Sequence, residues 1–530
     1  MRTFALILIA AAASHAQQRI IGANGQLVTR PPVQPSSFDC IADGSVTNSV
    51  TGEPIVRARV NLFAGEYSYS TSTDSSGNWT LASLACVPAS LQVTRTGFLQ
   101  VASNRPANPF RLNLISGSPT HAKTELTPQS VAYGKVVDDQ GDPVMGAAVF
   151  ALMLRVVDGR LRFQQGGGVG NTNDLGEYRI SGLIGGKYIV CVHPSQPVGP
   201  LAGQIVQGAQ TIVADSCYPG PIDAGAASAM DLPAGREAKV DFTLAEVPAV
   251  HVRGTISGLP EGRGSGVRIF RRSYEFGGNL PGTVRDGRFD FRVPPGPYTL
   301  AADYFENGVR LVARVPLDVG TSDVGDIAVH LDPGFSVTGV VHVTSQSGKS
   351  LTRQFPVSLR ASESTGSGGQ IKWDSDHASF SINEMTAGTY RLEAVPPSPF
   401  YVKSATLGGQ DILNNDVAIS QAAGPIDIQL RDDGGSIDGQ VTDSSGQAVS
   451  SNVMLLRGSI RIAIVGAANG AFKLQNIAPG DYLIYAWSNP DAVPFADPDW
   501  MRRNGAGGQA ITVSAGQSQQ IKLIQQTAPE

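Results

Sequence analysis

Apolar and polar residues alternate along this chain in short runs, and the runs come in pairs joined by tight turns. Asn173-Asp174-Leu175-Gly176 reads as a turn, with Asp bonding its own backbone and Gly tolerating positive φ. Tyr178 and Ile180 then alternate with Glu177 and Arg179, the period-two sign of a strand with one buried face. Gly185-Gly186 turns the chain again into Tyr188 and Val190. No window of eleven or more residues carries an apolar stripe of helical period, so little helix is expected.

The same paired pattern recurs. It stands at Asp74-Ser75-Ser76-Gly77-Asn78-Trp79 followed by Leu91-Gln92-Val93, and at Asp286-Gly287-Arg288-Phe289 followed by Pro295-Gly296-Pro297-Tyr298. It returns at Ser379-Phe380-Ser381-Ile382 with Ala387-Gly388-Thr389-Tyr390, and at Asn469-Gly470-Ala471-Phe472 with Pro479-Gly480-Asp481-Tyr482. Each unit opens alike, on Gly44, Gly134, Gly254, Gly339 or Gly439 ahead of a short β-branched run. The openings lie about 85–120 residues apart, the size of whole sandwich domains rather than of solenoid repeats. The expectation is all-β: a tandem array of about five antiparallel β-sandwiches over 39–116, 129–246, 249–332, 335–430 and 434–526. The large residue after each second turn should be a buried anchor.

Composition agrees: Gly 61 and Pro 34 are high together while only 16% of residues are charged, which favours short strands and turns. A net charge of -5 gives no footprint for a nucleic-acid partner. Arg2, the apolar run Phe4 to Ala13 and the small residues of Ser14-His15-Ala16 read as a cleaved signal peptide over 1–16. Ten apolar residues are too few to span a bilayer, and no later transmembrane segment is expected. A polar, proline-bearing flexible leader, 17–38, follows. In an exported chain four cysteines can pair, and sequence order suggests Cys40 with Cys86 and Cys191 with Cys217. Metal binding is the rival, without any C-x-x-C spacing behind it.

Gly134-Lys135-Val136-Val137-Asp138, Gly141-Asp142-Pro143, Gly176-Glu177-Tyr178 and Gly186-Lys187-Tyr188 resemble the carboxypeptidase regulatory-like domain. That family is a transthyretin-like β-sandwich, found as an accessory module beside metallocarboxypeptidase domains and in many bacterial surface proteins. Units two and five carry the pattern most fully, unit one well, and units three and four in degraded form. Residues Ala486-Trp487 through Trp500 to Ile521-Lys522-Leu523-Ile524, with Tyr401-Val402-Lys403 and Gly408-Gly409-Gln410-Asp411, are similar to the end of multi-repeat secreted proteins of soil bacteria. The resemblance implies fold strongly and function weakly. Related sandwiches include starch-binding modules, so it implies carbohydrate binding only as one option.

Catalytic chemistry is sought and not found. There is no H-E-x-x-H, no H-x-x-x-H pair and no G-x-S-x-G elbow. His330 and His342 read as ordinary strand histidines, and Ser362 to Gly369 as a hairpin loop. Gly166-Gly167-Gly168-Val169-Gly170 lacks the Lys-Ser/Thr of a phosphate loop, and Leu175 stands where a calcium loop needs an oxygen ligand. Asp374-Ser375-Asp376 and Asp497-Pro498-Asp499 read as turns; Arg268, Arg271, Arg272, Arg285, Arg288 and Arg292 read as a solvated face. No catalytic residue, metal ligand or cofactor site is assigned. The best binding candidates are the aromatics Trp487, Phe495 and Trp500 of the last loop, and Trp373, rigid rings able to stack on a sugar or an apolar partner. The alternative is that they cover the sandwich end. The chain therefore reads as an exported, non-catalytic scaffold that binds or spaces a protein or glycan at the cell envelope. A carbohydrate-binding protein using loop aromatics is the alternative, and an enzyme with an unrecognised site is the last.

Overall fold

The computed structural model describes residues 19–21, 27–29, 35 and 37–528, apart from 103–104, 107–109, 195–210, 220–228, 261–265, 272–281, 307–308 and 362–368. The signal segment 1–16, most of the leader, Arg272 and most of the loop from Ser362 lie outside the described residues. Within the leader, Arg19–Ile21 pairs antiparallel with Leu27–Thr29, order that the polar composition did not announce.

The strands form successive groups. In the first, Phe110–Asn113, Pro88–Thr94, Arg59–Ala64 and Tyr67–Ser72 make one four-stranded sheet. Asn78–Leu84, Cys40–Asn48, Thr120–Pro128 and Phe98–Leu99 make the facing one. Val46, Val60, Leu62, Trp79, Leu84, Leu91 and Val93 fill the space between them. The strand Thr120–Pro128 falls in the stretch left between the sequence-drawn units 39–116 and 129–246. Its alternation of buried Ala122, Thr124 and Leu126 with exposed partners places it in the first core.

The third group sets the four strands Gly282–Arg285, Arg288–Val293, Val250–Ser257 and Val324–His330 against Gly266–Arg271, Gly296–Glu306 and Val309–Val319. In the fifth, the last strand, Ser518–Gln526, pairs with Gly435–Thr442 and reaches Ala486 and Trp487 of Gly480–Trp487, so it joins the two sheets.

Most pairs are antiparallel, as the hairpin pattern predicts, but each group closes on a parallel one. Cys40–Asn48 pairs parallel with Thr120–Pro128, and Ser130–Asp138 with Glu237–Lys239 and Phe242–Leu244. Val250–Ser257 pairs so with Val324–His330, Phe335–Thr344 with Ile426–Arg431, and Gly435–Thr442 with Ser518–Gln526. The opening glycines sit on these first strands. A Cβ would meet the Ala122 carbonyl oxygen at 1.8 Å from Gly44, that of Val240 at 1.8 Å from Gly134, and that of Ile327 at 2.0 Å from Gly254. At Gly339 it would meet the Phe380 ring at 2.2 Å. The glycines admit a close neighbour rather than a turn.

The buried anchors are where the second turns place them: Leu91, Tyr188, Tyr298 and Tyr390 are all but inaccessible, and Tyr482 nearly so. Three of the hydroxyls bond the backbone four residues upstream, Tyr298 to Pro294 O (2.8 Å), Tyr390 to Thr386 O (2.8 Å) and Tyr482 to Ala478 O (2.5 Å). Each corner thus satisfies a buried hydroxyl and a turn carbonyl at once.

Candidate functional site

Both disulfides suggested by sequence order are formed, Cys40–Cys86 with Cα atoms 5.5 Å apart and Cys191–Cys217 at 4.1 Å. Each lies inside one group of strands. Among the described residues one trio of metal-type side chains gathers, Asp39, Cys40 and Cys86, and both of its sulfurs are tied up in the cystine. Histidines pair with aspartates that sequence order does not place beside them: His121 with Asp43 (2.5 Å), His193 with Asp215 (2.6 Å) and His251 with Asp290 (2.6 Å). Only the His193–Asp215 pair is nearly buried, at 9% and 11% side-chain exposure.

The four candidate aromatics divide between two clusters. Trp487 is 1% exposed and Phe495 8%, packed with Met454, Leu456, Tyr485 and Val493 on the outer face of the Ser451–Arg457 and Gly480–Trp487 strands. Trp500 lies half-buried against Trp487, ring centres 6.1 Å apart. Its position is set by the helix Pro498–Asn504, where Asp497 caps the N–H groups of Asp499 and Trp500 at 3.0 Å. Asp497-Pro498-Asp499 is therefore a helix start, with proline at the first turn as the helix rules favour. Trp373 is half-buried between Phe355 (5.3 Å) and Phe380 (5.1 Å). The rings do not form one platform, and Trp487 and Phe495 present no open face. The Phe495 ring also underlies Gly159, at the tip of the Ala148–Val157/Arg160–Asn171 hairpin, and Ala496 N donates to Gly159 O at 2.8 Å. At the same tip Asp158 pairs with Arg360 at 2.6 Å.

A cleft that was not foreseen lies in the first group. It encloses about 570 Å³ and is lined by Arg57, Arg59, Arg95, Gln92, Val93, Thr94, Thr96, Phe98, Leu99 and Gln100. Register brings the arginines together: Arg59 sits opposite Thr94 across the Arg59–Ala64/Pro88–Thr94 pair, one residue from Arg95. Arg57 precedes the first of these strands by two residues. Arg95 Nη1 donates to Arg57 O at 3.4 Å and Arg59 Nε to Asn61 Oδ1 at 3.3 Å, and no carboxylate pairs with any of the three among the described residues. The signal available in sequence was the Arg57-x-Arg59 spacing, which means nothing until the strand pairing is known.

These features define the class: an all-β chain of sandwich modules, two of them cross-linked within themselves. Within it, residues 43–115 match the carboxypeptidase regulatory-like domain. The match falls on the first unit, although units two and five carry the quoted motifs more fully. No curated protein matches the chain. Among solved structures, the Bacillus anthracis TIE protein aligns at 13% identity over 55% of this chain and 50% of its own, with a TM-score of 0.17. The minor pilin GBS52 of Streptococcus agalactiae aligns at 12% identity over 39% of this chain and 96% of its own, TM-score 0.22. The shaft pilin SpaA of Lactobacillus rhamnosus GG aligns at 9% over 40% and 98%, TM-score 0.21. This chain thus spans half the length of the TIE protein. Scores this low carry none of those proteins' properties across. No helix among the described residues is long and apolar enough to cross a membrane.

Proposed function

We propose that the chain is an exported, non-catalytic scaffold of β-sandwich modules that binds or spaces a partner at the cell envelope. The observation that supports it most is the repetition of one structural unit. Each group closes on its own parallel pair, the large residue after its second turn is buried, and both cystines lie within single units. Cystines suit an oxidising compartment. Expression of the full chain in a bacterial host should yield a mature protein outside the cytoplasm, cleaved after Ala16 and with no free thiol. Retention of residues 1–16 in a cytoplasmic product, or turnover on a panel of hydrolase substrates, would overturn this reading.

A further inference from the structure

The arginine cleft stands apart in a unit with no excess of positive charge. Residues 39–116 hold five acids (Asp39, Asp43, Glu53, Glu66, Asp74) against five arginines (Arg57, Arg59, Arg95, Arg105, Arg111), a difference of zero. Yet none of the acids lines the cleft and three of the arginines do. Three of the acids are engaged elsewhere. Asp39 accepts from the Ser116 hydroxyl at 2.8 Å, Asp43 meets His121, and Asp74 caps Ser76 N and Asn78 N, both at 2.8 Å. In the cleft wall, Gln100 accepts the Val93 N–H through Oε1 at 3.4 Å and leaves Nε2 buried with no acceptor. Three arginines and a glutamine with a buried, unpaired amide nitrogen line one space.

Arg57 also holds a backbone conformation that arginine disfavours. Its φ is +57°, in the left-handed region, where a side chain crowds the following carbonyl. The second unit contains the same turn. Arg57 N bonds Thr73 O at 3.1 Å as Gly146 N bonds Thr172 O at 3.0 Å, and the threonine hydroxyls cap Ala58 N and Ala147 N alike at 2.8 Å. There the equivalent residue is glycine, at φ +78°. The first unit places an arginine where its sister unit has the residue the backbone prefers. Strain kept at one copy of a repeated turn points to a use for that side chain.

The cleft opens onto the outward rows of its sheet. Arg59 stands between Ser72 and Thr94, and Asn61 between Ser70 and Gln92, with exposed Phe63 beyond. These rows are hydroxyls and amides, and Val93, Phe98 and Leu99 line the cleft beside them, an apolar surface that the C–H face of a sugar ring can cover. We infer that the cleft binds a carboxylate-bearing polysaccharide, its acid groups held by Arg57, Arg59 and Arg95 and its hydroxyls by Gln92 and Thr94. A guanidinium suits this task because it forks two N–H donors onto one carboxylate. The inference rests on the binding form of the scaffold reading; a chain that only spaces would lack it.

The test is isothermal titration of the full chain with polygalacturonate, neutral dextran and polyglutamate, at low and at moderate salt. Polygalacturonate should bind, dextran should not, and affinity should fall as salt rises. Arg59→Gln and Arg95→Gln should each weaken binding about tenfold, the scale of one charge-assisted contact. Arg57→Gly should weaken it likewise while leaving the melting temperature unchanged or higher, because glycine relieves the left-handed strain. That separates a lost contact from a lost fold. Absence of polygalacturonate binding, unchanged affinity in the variants, or equal binding of polyglutamate would each overturn the inference. Export and lack of turnover would be untouched by these results.

Discussion

At Gly44, Gly134, Gly254 and Gly439, a hydrogen atom in place of a methyl group lets the closing segment approach. Gly134 lies so near the Val240 carbonyl that alanine would put its Cβ 1.8 Å from that oxygen, which also accepts the Tyr178 hydroxyl at 2.7 Å. Gly134→Ala should therefore destabilise the second unit by about 1–3 kcal/mol, the usual cost of overpacking, read as a lowered melting transition. Tyr482→Phe removes the bond to Ala478 O and the Arg457 guanidinium contact at 2.5 Å, and should cost about 1 kcal/mol in the fifth unit. Both glycine and tyrosine positions were legible in the sequence, because each recurs at a fixed place relative to the turns. What the glycines avoid was not legible, since it lies far along the chain, at Ala122 for Gly44, at Val240 for Gly134 and at Ile327 for Gly254.

At the scale of elements, the turns and hairpins followed from local signals. Asp74, Asn173 and Asp443 each hold two backbone N–H groups of their own turn, as the Asx rule requires. The parallel closing pairs did not, because pairing between distant strands leaves no short-range trace. The helix Pro498–Asn504 was hidden by its length of seven residues, too short for periodicity, although its Asp-Pro start is a capping signal. Each cystine closes a loop, with separations of 46 and 26 residues. Loop entropy gives at most about 3.5–4 kcal/mol for closures of this size. Reduction should lower the calorimetric transitions of the first two units and leave the other transitions in place. Between the fourth and fifth units, Asp432 accepts from the Ser345 hydroxyl (2.6 Å), the Ser347 hydroxyl and Gln346 N (2.7 Å), which hold its carboxyl far below the ordinary range. A depressed carboxylate stabilises above the ordinary pKa and loses that contribution as pH falls through the folded value. Asp432→Asn should thus blunt the acid sensitivity of this junction, measured by tryptophan fluorescence between pH 5 and about 2.

For the molecule as a whole, tyrosine burial sets the alkaline limit. Burial pushes Tyr298 up to about 12, and burial with the Asp433 hydrogen bond does the same for Tyr401. A raised phenol is fully stabilising below the ordinary value of about 10, and the contribution is lost as pH rises towards 12. Absorbance titration should show these rings ionising late and together with unfolding. The arginine cleft was the least legible feature, since it exists only once distant strands align Arg59 with Thr94.

The pairing of first and last strands has a mechanical consequence. Because Gly435–Thr442 and Ser518–Gln526 run side by side in one direction, the chain enters and leaves the unit at opposite ends. Tension along the chain must then shear seven residue pairs at once instead of peeling them singly. A fibre built from such units would resist extension abruptly and yield in discrete steps.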